Sequence, residues 1–114
     1  MHNEPPAELP HVAITGTAEQ VTVVLSGEFD IMSEGFLADC LAPVRRERPR
    51  RLVYEAAQVT FIDCASARLM AGTEGWLPAG VKPVIVCPSL VVRRVLQASG
   101  LGARFELRLC GRLR

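Results

Sequence analysis

The strongest constraint in this chain is an apolar run that ends in a carboxylate and passes straight into a helical pattern. Val59-Thr60-Phe61-Ile62 closes at Asp63, and Cys64-Ala65-Ser66-Ala67-Arg68-Leu69-Met70 comes next with no linker between them. This reads as a strand-to-helix corner, the unit from which α/β sheets are built. Asp63 stands at the N-cap, where its carboxylate accepts hydrogen bonds from the free N–H groups of Ala65 or Ser66, worth roughly 1 kcal/mol. Cys64 takes the first helical position. The backbone N–H groups of that turn also suit an added phosphate.

The rest of the chain repeats the pattern. Val12-Ala13-Ile14 is a short edge strand, and Val21 to Glu28 is a β-branched strand joined to it by a turn at Gly16 to Gln20. Phe36, Leu37, Cys40, Leu41 and Val44 form one helical stripe, with Ser33 as N-cap and Glu34 in the first turn. Pro43 predicts an end or kink in that helix. Arg51 to Glu55 is a strand apolar on both faces, as in a central parallel strand covered by helices. Leu69, Met70 and Trp76 give the second helix its apolar face. Val84 to Cys87 is a strand, Ser89 caps a third helix, and Gly100 stops it. Phe105, Leu107 and Leu109 alternate with Glu106 and Arg108 in a last, half-exposed strand. The order is β-β-α-β-α-β-α-β, which predicts a small mixed, largely parallel sheet with helices packed on it. Edge strands at its two ends leave a homodimer open.

With 114 residues there is room for one domain. The boundaries expected are a flexible tail over 1–10, which holds three prolines, one domain over 11–110, and a short basic tail over 111–114. Hydrophobic residues make up 49%, enough for a core, and aromatics only 5%, so that core is aliphatic. A net charge of +1 gives no case for nucleic acid. The charge is uneven: Arg45, Arg46, Arg48, Arg50 and Arg51 cluster, as do Arg104, Arg108, Arg112 and Arg114. These read as solvated loop and tail, or as a docking surface for an acidic partner.

No apolar run approaches the ~20 residues of a membrane span, and the N-terminus lacks a signal-peptide pattern, so a cytoplasmic protein with no membrane insertion is expected. Cys40, Cys64, Cys87 and Cys110 form no C-x-x-C pair. Cys40 and Cys87 read as small buried hydrophobes. His2 and His11 lie far from the corner, which removes a Cys/His nucleophile pair, and no phosphate-binding glycine loop is present. Asp30, Glu55 and Asp63 end predicted strands and could hold Mg²⁺ only if they converged. The expectation is therefore not an enzyme, with no catalytic residues, no metal and no cofactor.

Three motifs in register carry a family resemblance. Leu25-Ser26-Gly27-Glu28-Phe29-Asp30 resembles the L-x-G-E-L-D segment of the STAS domain. Leu52 to Asp63 resembles its L-V-L-D-L-S-G-V-T-F-I-D stretch, and Pro88 to Phe105 its closing P-x-V-x-x-V-L-x-x-x-G-L-x-x-x-F pattern. The resemblance implies a protein-binding domain of the anti-sigma-factor-antagonist type, whose partner is an anti-sigma factor or a related serine kinase-like protein. In such proteins the serine after the aspartate is phosphorylated by the partner, and the added charge breaks the complex.

This chain departs from the family's D-S-S-G. Cys64 holds the phosphorylatable position, Ala65 the second serine and Ser66 the glycine, while Glu55 replaces an aspartate. Ser66 is the substitute hydroxyl on that turn. The docking corner implied is Asp30, Ser33, Asp63, Cys64, Ala65, Ser66 and Arg68. Oxidation of Cys64 is another form of control. The alternative is a STAS subunit of a bacterial ABC-type lipid transport complex, touching its ATPase with the same corner.

Overall fold

A computed structural model describes residues 8–110. Residues 1–7 and 111–114, which include His2, Arg112, Arg114 and most of both expected tails, lie outside the described residues. The elements are β1 (His11–Gly16), β2 (Val21–Phe29), α1 (Glu34–Glu47), β3 (Leu52–Ile62), α2 (Cys64–Gly72), β4 (Val84–Val86), α3 (Leu90–Ser99) and β5 (Glu106–Arg108). Single 3₁₀ turns at Ile31–Ser33, Thr73–Trp76 and Leu101–Arg104 flank the helices.

The sheet runs β1-β2-β3-β4-β5, with β1 antiparallel to β2 and every later pair parallel. Each parallel connection steps to the next strand in the same direction. Right-handed crossovers therefore put all three helices on one face. The core is a consequence of this: Val21, Val23, Leu25 and Phe29 of β2 and Tyr54 of β3 pack with Leu37, Leu41, Met70, Val92 and Leu96 of the helices. The other face is half open, since β2 alternates buried and half-buried residues along its length. The expected two-sided cover for Leu52 to Glu55 is absent. On the uncovered face Val53 is shielded beside its cross-strand neighbour Val84, while Glu55 is exposed.

Two segments differ from their sequence pattern in ways that shape the site. The apolar runs at Leu52 and Val59 belong to a single eleven-residue β3. Its irregular pairing with β2, near Val24 and Gly27, lets the exposed Ala57 and Gln58 pass without a turn. Gly27 is obligatory there: its φ is +87°, and an added Cβ would collide with the Leu9 carbonyl. In α1, Pro43 neither ends nor breaks the helix, which continues to Glu47. Burial of Leu41 and Val44 on either side offsets the lost hydrogen bond.

Glu8 lies against the sheet. Its carbonyl accepts from Glu28 N–H at 3.3 Å, and its carboxylate accepts from the Thr60 hydroxyl at 2.9 Å. Cys87 is not a small buried hydrophobe, because it forms a disulfide with Cys110. The β4–β5 register places them together: Val86 pairs with Arg108, and Cys87 N–H donates to the Arg108 carbonyl at 2.7 Å. Ser89 and Gly100 cap α3 as their residue types dictate, the serine accepting from Val92 N–H at 3.4 Å and the glycine at φ 76°.

Candidate functional site

β2 and β3 both end in an aspartate at the same edge of the sheet. Asp63 N–H donates to the Phe29 carbonyl at 2.9 Å, so the two strand ends are tied one residue before Asp30 and at Asp63 itself. Each carboxylate then caps the turn after it. Asp63 Oδ1 accepts from Ser66 N–H at 2.8 Å, the cap predicted from sequence. Asp30 Oδ1 accepts from Met32 N–H and from the Ser33 hydroxyl, both at 3.0 Å. Ser33 stands at the N-cap of α1 but makes no side-chain cap bond, because its hydroxyl is turned back to Asp30. Asp30, legible only as a strand-end acid, caps the 3₁₀ turn that precedes α1.

The turn Ile31–Ser33 packs against α2, which brings the two halves of the corner together. On it Ile31 and Met32 are 73% and 86% exposed, and Phe36 and Phe61, near the two caps in sequence, are also open to solvent. Sequence patterning did not single out Ile31 and Met32. Their signal was their position directly after a capping aspartate, outside any helical stripe. Cys64 is exposed at the start of α2. Ala65 and Arg68 line a groove of about 380 Å³ with Glu34, Leu69, Gly72 and Trp76.

Ser66 is different. It is fully buried, and its hydroxyl has no hydrogen-bond partner among the described residues. It lies in the first turn of α2, which the Asp63 cap closes. The thiol at Cys64 and the hydroxyl at Ser66 thus face opposite environments, as two residues at 3.6 per turn must.

The corner presents an exposed thiol at Cys64 beside exposed apolar side chains. Among the described residues, no three His, Cys, Asp or Glu side chains stand close enough to hold a metal ion. Asp30, Glu55 and Asp63 therefore do not converge: two are engaged as caps, and Glu55 projects from the middle of β3 beside Val86. Cys40, half-buried on α1, has its thiol pKa pushed up by burial and by the neighbouring Asp39 charge. No described helix is long and apolar enough to cross a membrane.

Known proteins share this frame. The family model of the STAS domain matches residues 11–110. The anti-sigma-F factor antagonist RsfB of Mycobacterium tuberculosis is 26% identical over 98 residues, covering 84% of this chain and 80% of RsfB. An anti-sigma factor antagonist from Mycobacterium paratuberculosis has the same fold at a TM-score of 0.78, with 22% identity over 88% of this chain and 86% of its own. The anti-sigma factor antagonist SpoIIAA, in its unphosphorylated form, matches at 0.70, with 24% identity over 85% and 87%.

Proposed function

The chain belongs to the STAS domain family, and from that premise we propose that it is a binding protein of the anti-sigma-factor-antagonist type. It docks an anti-sigma factor or a related serine kinase-like protein through Asp30–Ser33 and the Asp63–Arg68 start of α2. The observation that carries this reading is the exposed apolar turn at Ile31 and Met32, held beside an exposed helix start by the Phe29–Asp63 hydrogen bond. Large apolar side chains left in water at a rigid corner are what a protein partner covers.

Cys64 stands where the family carries its phosphorylated serine, so the complex lacks the usual phosphate release. The buried Ser66 offers no ready replacement. The protein acts as a partner-binding module, and no step of its action requires catalysis by its own residues.

Affinity purification with wild-type protein and a Met32→Glu variant tests the reading. Wild-type recovers a kinase-like anti-sigma protein, identified by mass spectrometry, and Met32→Glu loses it. Recovery of a transporter ATPase in its place would assign the corner to the subunit role. Recovery of the same partner by both proteins would move the docking surface away from Met32.

A further inference from the structure

β5 forms one edge of the sheet, and among the described residues no further strand lies outside it. Its backbone is set for pairing. Glu106 N–H donates to the Pro83 carbonyl at 2.9 Å, and the Arg108 carbonyl accepts from Cys87 N–H at 2.7 Å. These two residues therefore turn their backbone polar groups inward, toward β4. Strand alternation then turns the N–H and C=O of Leu107, between them, out to the open edge. The Cys87–Cys110 disulfide anchors the chain just past the strand, so the edge is ordered before anything docks on it.

Proteins shield such edges with like charges, a proline or a covering loop. β5 carries an acid, a leucine and a base in succession: Glu106, Leu107, Arg108. Glu106 and Arg108 share one face of the strand, half exposed, with Arg108 Nη2 2.8 Å from Glu106 Oε2. Leu107 lies on the other face, toward α3. It is 41% exposed and Leu109 is 58% exposed, and with Leu96 and Gln97 of α3 they border a groove of about 440 Å³.

We infer that a second copy of this chain docks antiparallel on β5, about a two-fold axis through Leu107. The backbone sets the register. Leu107 presents its N–H and C=O to the edge, so the two copies of Leu107 exchange a pair of hydrogen bonds. Glu106 of each copy then stands opposite Arg108 of the other. These are non-hydrogen-bonded positions, where Cα atoms approach to about 4.5 Å and opposite charges attract across the strands. An isologous contact makes both pairs at once. Centring the axis on Glu106 or on Arg108 places like charges opposite each other, so charge selects the same register as the backbone. The two Leu107 side chains meet beside the axis, and each groove gains a wall from the other copy. β1, the opposite edge, holds no acid and no lysine or arginine, and so has no such code.

The contact is short, which puts it in the weak, concentration-dependent class of interfaces. β4 separates β5 from β3, so the capped ends of β2 and β3 stay open in the dimer. The inference stands independently of which partner that corner takes.

Sedimentation equilibrium of the full-length protein at rising concentration shows a reversible monomer–dimer step. Glu106→Arg and Arg108→Glu each set like charges against each other at both pairs, and each weakens dimerisation at least about tenfold. Both side chains are half exposed, so neither change disturbs the fold. An equimolar mixture of the two variants recovers the dimer, because every base of one chain then faces an acid of the other. Neither variant keeps the Glu106–Arg108 pair within its own chain, so this recovery reads contact between chains alone. The inference is overturned if the wild-type protein stays monomeric at the highest concentration reached, if its dimer survives both substitutions, or if the mixture remains monomeric.

Discussion

The Asp63 amide donates to the Phe29 carbonyl at 2.9 Å, and this bond fixes two capping aspartates at the end of one sheet edge. Asp63 thereby has a structural duty at the cap, and substitution separates it from the docking role proposed for the corner. Asp63→Ala removes the bond to Ser66 N–H and costs about 1 kcal/mol, a fall in melting temperature of about 4–8 °C. Asp63→Asn keeps an acceptor at the cap, so stability is retained. If the carboxylate charge also serves docking, partner affinity falls in both variants while only the alanine melts early. Calorimetry beside a binding titration reads the two effects.

Cys64 and Ser66 differ by their exposure, and phosphorylation chemistry should track it. Cys64→Ser puts a hydroxyl at the open helix start, and on the proposed function a kinase-like partner then modifies residue 64, seen as an added phosphate by intact mass. Wild-type protein gains none. Ser66→Ala removes a buried hydroxyl with no partner and is expected to stabilise the fold by about 1 kcal/mol. Phosphate found on Ser66 of the wild-type protein would show that the first turn of α2 opens under native conditions.

The two free thiols should separate in alkylation. Cys64 is open to solvent, and Cys40 is half-buried with its pKa raised by desolvation and by Asp39. A raised pKa leaves less thiolate at neutral pH, and the thiolate is the reacting species. Iodoacetamide at pH 7 therefore labels Cys64 first, and Cys40 catches up only as pH rises. Equal rates at the two sites, measured by peptide mass, would remove the basis for any thiol control at Cys64.

Much of this was legible because periodicity and caps are local. The β-branched run from Val21 to Glu28, the stripe from Phe36 to Val44, and the caps at Asp63, Ser89 and Gly100 depend on residues within a few positions of each other. What stayed hidden depends on tertiary closure. Ala57 and Gln58 break the apolar run of β3 as a turn would, and only pairing with β2 carries the strand through them. Burial of Ser66 depends on which side of α2 meets the core. Cys87 and Cys110 are 23 residues apart and meet because β4 and β5 pair in one register.

That disulfide closes a loop holding α3 and the exposed three-residue β5. Its removal by Cys110→Ser frees the unfolded chain, at a cost of about 3 kcal/mol for a loop of this length on the chain-entropy model. The loss should be local before it is global, because β5 has little burial of its own. Hydrogen exchange of Leu107 and Arg108 amides speeds up first in the variant, or in wild-type protein treated with reductant. Unchanged exchange and melting would mean that the bond carries no stability.

Tyr54 ties the sheet to the end of α2 and gives stability an alkaline limit. It is fully buried against Phe105, and its hydroxyl donates to Thr73 Oγ1 at 3.0 Å, which in turn donates to the Met70 carbonyl at 2.6 Å. Burial raises the phenol pKa well above its usual value of 10.0, and the bond to Thr73 pulls it back only in part. The sign comes from linkage: below pH 10 both folded and unfolded chains keep the phenol protonated, and its contribution is intact. Above pH 10 the unfolded chain loses the proton more readily, so stability falls as pH rises toward the folded-state value. Urea denaturation between pH 8 and about 11 should show this decline. In Tyr54→Phe the variant starts about 1 kcal/mol less stable, from the lost hydrogen bond, and its alkaline decline is shallower. A decline of the same slope in both proteins would place the alkaline limit elsewhere than at this phenol.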